Sequence, residues 1–126
     1  MKYEISIDRP SRELSPNIRQ HWTKGYKAKK RARQAATLLA QSAWGGDAPR
    51  WRCAKVTITW VMPTRAHHPD ADNAIASLKA WFDGFADWGI VENDRGLWPS
   101  WNGIEVTKTA EWPRGRVHLV FEEIEQ

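Results

Sequence analysis

Polar and apolar side chains alternate in two separated stretches near the start and middle of the chain. The first runs from Lys2 to Asp8 and the second from Trp51 to Met62, where Pro63 ends it. A period of two places every second side chain on the same side of an extended backbone, so each stretch is predicted to form a half-buried strand. In the first strand the predicted core face carries Tyr3, Ile5 and Ile7.

The C-terminal third of the chain predicts two more strands. Residues Gly96 to Gly103 contain Gly, Pro and Asn-Gly, which are typical of a loop. Alternation resumes from Ile104 to Trp112 and again from Val117 to Ile124, on either side of the turn-forming residues Pro113 to Gly115. We therefore expect these two segments to pair as an antiparallel hairpin.

A helical period of three to four residues marks two further stretches. The first helix is predicted from Tyr26 to Trp44, and the glycine pair after it is a natural stop. Its apolar stripe consists mostly of alanine: Ala28, Ala32, Ala35, Ala36, Leu39 and Ala43. The second helix is predicted to begin at Asp72 as N-cap, with a core stripe of Ile75, Leu78, Phe82 and Phe85.

The resulting order of elements is strand, helix, strand, helix and hairpin. This order predicts a single small α+β domain over residues 1–126, with two main helices and a mixed or mainly antiparallel sheet. The length suffices for one core without disulfides, and the one cysteine, Cys53, fits a reducing compartment. With neither an apolar leader nor a membrane-length apolar run, we expect a cytoplasmic protein.

Composition adds two unusual features. Nine tryptophans in 126 residues could form an economical core, a subunit interface or a stacking surface for bases. The net charge is +4 and the isoelectric point is near 9.5, which weakly favours a polyanionic partner. The alternative for the basic run before residue 34 is an ordinary solvated helix face. We favour phosphate binding by Lys24, Lys27, Lys29, Lys30, Arg31 and Arg33, because no acid interrupts the run.

Acidic residues are concentrated between Asp70 and Asp94, where six carboxylates accompany a single base, Lys79. A bound cation would relieve their mutual repulsion. Oxygen ligands of this kind suit Mg²⁺, or alternatively Mn²⁺. Metal ions of this type at clustered carboxylates support phosphodiester hydrolysis. On a continuous helix, Asp72, Lys79 and Asp83 would share one edge, and the i, i+4 spacing of Lys79 and Asp83 predicts a surface ion pair.

Three short runs in this region carry a resemblance to a known family. They are Asp70 to Asn73 (DADN), Lys79 to Phe85 (KAWFDGF) and Gly89 to Asp94 (GIVEND). Together they resemble the RusA family of Holliday junction resolvases, small dimeric Mg²⁺-dependent endonucleases that are often phage-borne. The N-terminal Ser15-Pro16-Asn17 and His21-Trp22 are also similar to the family's opening loop.

The resemblance implies roles for individual residues. It implies that Asp70, Asp72 and Asp94 bind metal and that Lys79 is catalytic. The three carboxylates should then converge within about 4–6 Å. Two departures from the family pattern stand out. Lys79 follows Asn73 at a greater distance, either on a continuous helix or on a helix that begins later with Ser77 as N-cap. Asn93 occupies the first position of the family's terminal acidic pair, which leaves Asp94 as the expected ligand and Glu92 as a lesser candidate.

The resemblance also implies a partner and an activity. The expected activity is the paired nicking of four-way DNA junctions by a homodimer, whose two-fold axis would match that of the junction. Trp98 and Trp101 could stack on unpaired bases, although packing in the hairpin or the dimer is the favoured alternative. The loop residues His67 and His68 could contact phosphate, although solvated loop histidines are the favoured alternative. The rival hypotheses are a branched-DNA-binding protein that does not cut, and a phage-associated adaptor without nuclease activity.

Overall fold

The computed structural model of the protein describes residues 2–16, 20–64 and 69–125, and in these residues one sheet of four strands forms. The strands are Lys2–Asp8 (β1), Ala54–Met62 (β2), Leu97–Val106 (β3) and Arg116–Glu123 (β4). The strand order is β1-β4-β2-β3, so β4 and β2 are central; β4 is antiparallel to both β1 and β2, whereas β3 is parallel to β2. The predicted α+β fold with a mixed sheet is therefore confirmed.

Three α-helices lie between the strands, at Trp22–Trp44 (α1), Ala71–Ser77 (α2) and Lys79–Trp88 (α3). Helix α1 begins four residues earlier than predicted, because His21 acts as its N-cap and accepts a hydrogen bond from the Thr23 N–H at 3.3 Å. No helix among residues 2–16, 20–64 and 69–125 has both the length and the apolar character needed to cross a membrane.

The second predicted helix is interrupted at Leu78. We expected Asp72 to be its N-cap, and this was wrong: Asp70 is the N-cap, with extended backbone, and its carbonyl accepts from the Ala74 N–H at 2.9 Å. Within α2, the Ser77 hydroxyl donates to the Ala74 carbonyl at 2.7 Å, a back-bond that bends helices. Lys79 thus starts a new helix, and the single helical edge predicted for Asp72, Lys79 and Asp83 does not run unbroken.

The predicted loop from Gly96 to Gly103 is instead most of strand β3. Its turn-like residues fit an edge strand. Pro99 has no N–H to donate, which is tolerated where a strand pairs on one side only. At Asn102-Gly103 the pairing with β2 slips by one residue, so that Ile58 pairs with Trp101 and Thr59 with Gly103. A bulge of this kind is a usual place for glycine, and Gly103 has φ 117°.

The predicted hairpin between the last two strands was also wrong. β3 and β4 lie on opposite sides of β2 and do not pair with each other. The alternating residues Thr107 to Trp112 lie beyond β3 and belong to neither strand. The turn at Gly115 comes so close to β2 that a Cβ there would lie 2.4 Å from the Val61 carbonyl oxygen. The chain therefore turns against β2 and inserts β4 between β2 and β1.

The main core lies between the helices and the sheet. Buried side chains from α1, α3, β2 and β4 meet there, including Ala36, Ala40, Phe85, Ile58 and Phe121. Helices α1 and α3 touch closely at Gly84, where a Cβ would lie 2.3 Å from the Arg33 carbonyl oxygen and 2.5 Å from the Ala36 Cβ. The relative position of α1 and α3 is consequently fixed at Gly84.

Most of the tryptophans contribute to the core rather than to the surface. The Trp44 ring lies 5.2 Å from Tyr3, 5.3 Å from Trp88 and 5.6 Å from Phe121, measured between centroids. Trp51 belongs to the same cluster, and its ring centroid lies 5.5 Å from that of Tyr3. Of the alternatives left open by composition, the economical core therefore accounts for this group of aromatic residues.

Candidate functional site

Lys79 lies at the start of α3 and joins two acidic residues that are distant from each other in sequence. Its Nζ donates to Asp83 Oδ1 at 2.7 Å, and it lies 4.0 Å from Asp94 Oδ2. The i, i+4 pair with Asp83 is the one predicted from spacing. The approach to Asp94 is a tertiary contact across 15 residues of chain, and it places two predicted functional residues side by side at a solvent-exposed position.

A tight return of the chain after α3 brings Asp94 back toward Lys79. Gly89 ends α3 with φ 111°, and its N–H donates to the Phe85 carbonyl. The next residues run beside residues 50–51: the Trp51 N–H donates to the Ile90 carbonyl at 3.1 Å, and the Glu92 N–H to the Trp51 carbonyl at 2.8 Å. This pairing fixes the direction of the segment that leads to Asp94.

Asn93 has a structural role in this segment. Its side-chain oxygen accepts from the Arg95 N–H at 3.0 Å and caps the 3-10 turn Asp94–Gly96. Asn is a good capping residue because its short side chain reaches back to a backbone N–H. Asn93 therefore has a local structural role, and the neighbouring Asp94 lies 4.0 Å from Lys79.

The predicted metal ligands Asp70 and Asp72 lie at the beginning of α2. Asp70 makes no side-chain capping bond, and both residues are exposed. The donor set has the hard oxygen chemistry that Mg²⁺ requires. In the described part of the chain, however, no three His, Cys, Asp or Glu side chains are arranged to hold a metal ion. The convergence of Asp70, Asp72 and Asp94 on one ion stays a prediction from the sequence.

Two of the six predicted DNA-binding cations are engaged in ion pairs. Arg33 on α1 forms a bidentate pair with Asp87 on α3, at 2.5 Å and 2.8 Å. The hydrogen bond from Arg33 holds the pKa of the Asp87 carboxyl below its usual value, and the same bond raises the pKa of Arg33. Arg31 lies 3.3 Å from Glu13 in the preceding 3-10 turn. These two arginines are therefore partly neutralised by the protein.

The four lysines of this run differ from the arginines. All four are exposed on α1, and no ion pair joins them to an acid within residues 2–16, 20–64 and 69–125. Sequence alone gave all six cations equal weight; the partners of the arginines, Glu13 and Asp87, lie 18 and 54 residues away. In the described chain, the positive charge of the run that no acid offsets therefore belongs to Lys24, Lys27, Lys29 and Lys30.

A groove of about 960 Å³ connects the basic run with Lys79. One wall is the N-terminal half of α1, which contributes Trp22, Tyr26, Lys29 and Lys30; the opposite wall is formed by α2 and α3, including Ile75, Lys79 and Phe82. Residues 13–16 and Gln20 also line the groove. The groove therefore has aromatic and cationic groups along a single continuous surface.

Trp22 and Tyr26 are the functional candidates that sequence reasoning missed. Their exposed fractions are 73% and 62%, which is unusual for such large rings. The available signal was their spacing of four residues within a run of lysines, but the helix was predicted to begin only at Tyr26. Of the residues proposed earlier for stacking, Trp101 packs 6.4 Å from Trp60 beside the core, whereas Trp98 is exposed on edge strand β3.

Several sequence-based expectations fall on residues outside the described ranges. The proposed phosphate contacts of His67 and His68 belong to this group, as does Asn17 of the N-terminal turn. They remain predictions from the sequence.

Comparison with known proteins identifies one relative of interest. The chain is 41% identical over 85 residues to an uncharacterized protein of Xylella fastidiosa (strain Temecula1). The match covers 66% of this chain and 55% of the relative, so this chain corresponds to about half the length of that protein. No family model matches the sequence.

Proposed function

We propose that this protein is a Mg²⁺-dependent, structure-selective DNA endonuclease that resolves four-way junctions, of the kind that the RusA-like motifs imply. The observation that carries the proposal is the position of Lys79, 4.0 Å from Asp94 and on the wall of the groove that Lys29 and Lys30 line. A catalytic ammonium, a motif carboxylate and phosphate-binding lysines thus belong to one surface.

The surroundings of Lys79 support this role. Lys79 follows the DADN motif at a greater distance than in the family, which on a continuous helix would shift its ammonium along the axis while keeping it on nearly the same face. The chain is interrupted at Leu78, α3 begins at Lys79, and the ammonium lies close to Asp83 and Asp94. Asp83 holds the ammonium in place, and the exposed lysine remains able to approach a phosphate.

In this proposal three sets of residues have different roles. Lys24, Lys27, Lys29 and Lys30 bind the phosphate backbone, a contact that dominates affinity but carries no sequence information. Lys79 offsets negative charge that develops on the phosphate oxygens. Asp70, Asp72 and Asp94 would hold the metal; when bound, Mg²⁺ activates the attacking water and stabilises the leaving oxygen.

The substrate's symmetry supports a homodimer as the working form. A four-way junction has approximate two-fold symmetry, and an isologous dimer presents two identical sites related by the same operation. Recognition of branch geometry also needs few base contacts, which agrees with a surface dominated by lysines. In this proposal the enzyme works in the reducing cytoplasm, where its single Cys53 remains a thiol.

Cleavage of a synthetic four-way junction tests the proposal. Each strand is end-labelled in turn and incubated with the protein and Mg²⁺; we expect paired nicks at symmetric positions. Asp70→Asn and Asp72→Asn should abolish the nicks. Asp47→Asn is the matched control, since it removes an exposed carboxylate from a loop outside the site and should leave cleavage unchanged.

The other outcomes distinguish the rival functions. Junction binding by wild type and variants alike, with no nick in any strand, would replace the endonuclease by a protein that binds branched DNA without cutting. Failure to bind any DNA would favour an adaptor whose acidic residues contact a protein partner.

A further inference from the structure

The groove beside Lys79 is built from side chains that suit nucleic-acid bases as well as phosphates. Its α1 wall presents Trp22, Tyr26, Lys29 and Lys30. These residues are separated by three or four positions along the helix, or lie next to each other, so they share one face. Both rings are largely exposed to solvent. An exposed pair of large aromatic residues next to unpaired cations indicates a binding surface rather than a packing defect.

The charges of the groove favour a polyanion. Both acids in the lining already have partners: Asp83 is bonded to Lys79, and Glu13 to Arg31. Arg33 is likewise neutralised by Asp87. Of the charged groups that line the groove in the described chain, Lys29 and Lys30 are left in excess. A strand of nucleic acid could therefore lie along the groove without meeting an unpaired carboxylate from its walls.

We propose that this groove binds single-stranded DNA, with unpaired bases stacked on Trp22 and Tyr26 and the backbone held by Lys29 and Lys30. The inference rests on the proposed function and specifies the part of its substrate that the groove takes: a strand with unstacked bases next to the cleavage site. Paired bases in a duplex are already stacked on each other and present only their edges and phosphates. The aromatic pair would have no role on an intact duplex, whereas a branch point offers free base faces.

An exposed apolar side chain in the other half of α1 provides the control for Trp22. Leu38 has 65% exposure and lies outside the residues that line the groove. Lys108, an exposed lysine beyond β3, provides the equivalent control for Lys29 and Lys30.

Binding of labelled oligothymidylate in EDTA tests the proposal without requiring cleavage. Trp22→Ala and Tyr26→Ala should each weaken binding about tenfold, as expected for loss of one stacked base. Leu38→Ala and Lys108→Ala should bind as wild type does. Because Trp22 and Tyr26 are exposed, these variants should keep the wild-type melting temperature, which shows that they remain folded.

An abasic probe makes the test specific for stacking. An oligonucleotide of the same length whose bases are removed keeps every phosphate, so wild type should bind it more weakly than oligothymidylate. Trp22→Ala should then cause no further loss on the abasic probe. Equal binding of both probes by wild type, or unchanged oligothymidylate binding by Trp22→Ala, would overturn the proposal.

Three further outcomes distinguish this proposal from its alternatives. If Trp22→Ala converts a dimer to a monomer in sedimentation without reducing single-strand binding, the surface is a subunit interface and the proposal fails. If wild type never nicks a junction with Mg²⁺ yet binds single strands through Trp22, the endonuclease fails while the groove assignment stands. If junctions are nicked at the wild-type rate by Trp22→Ala and single-strand binding is unchanged, the groove assignment fails alone.

Discussion

The two halves of helix α1 have different roles. Residues 22–33 carry six basic side chains and no acid, whereas residues 34–44 carry no charge at all. The C-terminal half packs Ala36, Ala40 and Trp44 into the main core. The N-terminal half rests on a small separate cluster, in which Ala28 and Ala32 meet Leu14 and Ala80.

This difference shows how one helix of a small protein can combine a buried half with a half that exposes charged and aromatic side chains. The core holds the C-terminal half through large rings and the contact at Gly84. The N-terminal half is thereby held in position by the rest of the helix and can expose lysines, Trp22 and Tyr26. We therefore expect substitutions in residues 34–44 to change stability, and those on the exposed face of residues 22–33 to change DNA binding.

The strongest contrast in stability should come from two tryptophans on the same helix. Trp44→Ala removes a ring that contacts Tyr3, Trp88 and Phe121 and should lower the free energy of unfolding by about 3 kcal/mol. Trp22→Ala removes an exposed ring and should change it by less than about 0.5 kcal/mol. Urea unfolding of both variants measures the contrast; equal losses would show that the two halves are not distinct.

The contact between α1 and α3 gives the next largest effect. A methyl group at Gly84 would meet backbone and Cβ atoms of α1, so Gly84→Ala should force the helices apart and cost about 2 kcal/mol. This exceeds the gain of about 1 kcal/mol in helix propensity. Gly46→Ala is the control, since nothing lies within 4 Å of a Cβ there. A Gly84→Ala protein with wild-type unfolding would disprove the close contact.

Removing the two lysines in the groove should affect binding without affecting stability. Lys29→Ala combined with Lys30→Ala should reduce the slope of log K against log salt by about 2, or one unit per phosphate contact. The melting temperature should stay the same. The same titration on Lys108→Ala should give the wild-type slope; an unchanged slope in the double variant would mean that phosphates bind elsewhere.

The Arg33–Asp87 pair should have the smallest effect, and it should depend on pH. The pKa of Asp87 in the folded protein is below its usual value of 3.8, so the pair stabilises above that pH and loses its contribution as the pH falls further. Both side chains are substantially exposed, which limits the contribution to less than about 1 kcal/mol.

Asp87→Asn tests both the pair and the neutralisation of Arg33. The variant should be slightly less stable than wild type at pH 7, and the difference should shrink as the pH falls below 3.8. It should also bind DNA slightly more tightly, because Arg33 regains its full charge. A stability difference that does not depend on pH would show that the ion pair is not its source.

Local patterns predicted most of the elements, but not the way in which they assemble. The alternation of Lys2 to Asp8 gave β1 with its observed bounds, and Trp44 was correctly placed as the last residue of α1. Pro99 and the Asn102-Gly103 pair misled the prediction of β3, because the same residues mark a loop or an edge strand with a bulge. The position of the segment in the strand order decides between a loop and an edge strand. The local pattern of residues does not encode that order.

In the candidate site, too, local contacts were predicted from the sequence and tertiary contacts were not. The spacing of Lys79 and Asp83 predicted their pair, since i, i+4 neighbours on a helix always face each other. The approach of Asp94 to Lys79 depends on the break at Leu78 and on the return of the chain after Gly89, and the engagement of Arg33 depends on Asp87, 54 residues away. Tertiary contacts of this kind cannot be read from local spacing.

Single-turnover cleavage of a four-way junction by Asp94→Asn is the most direct test of the proposed endonuclease. We expect wild type to nick opposed strands in the presence of Mg²⁺, and Asp94→Asn to bind the junction equally well in EDTA but to leave every strand intact with Mg²⁺. Cleavage by Asp94→Asn at the wild-type rate would contradict the assignment of the Lys79–Asp94 surface as the catalytic site.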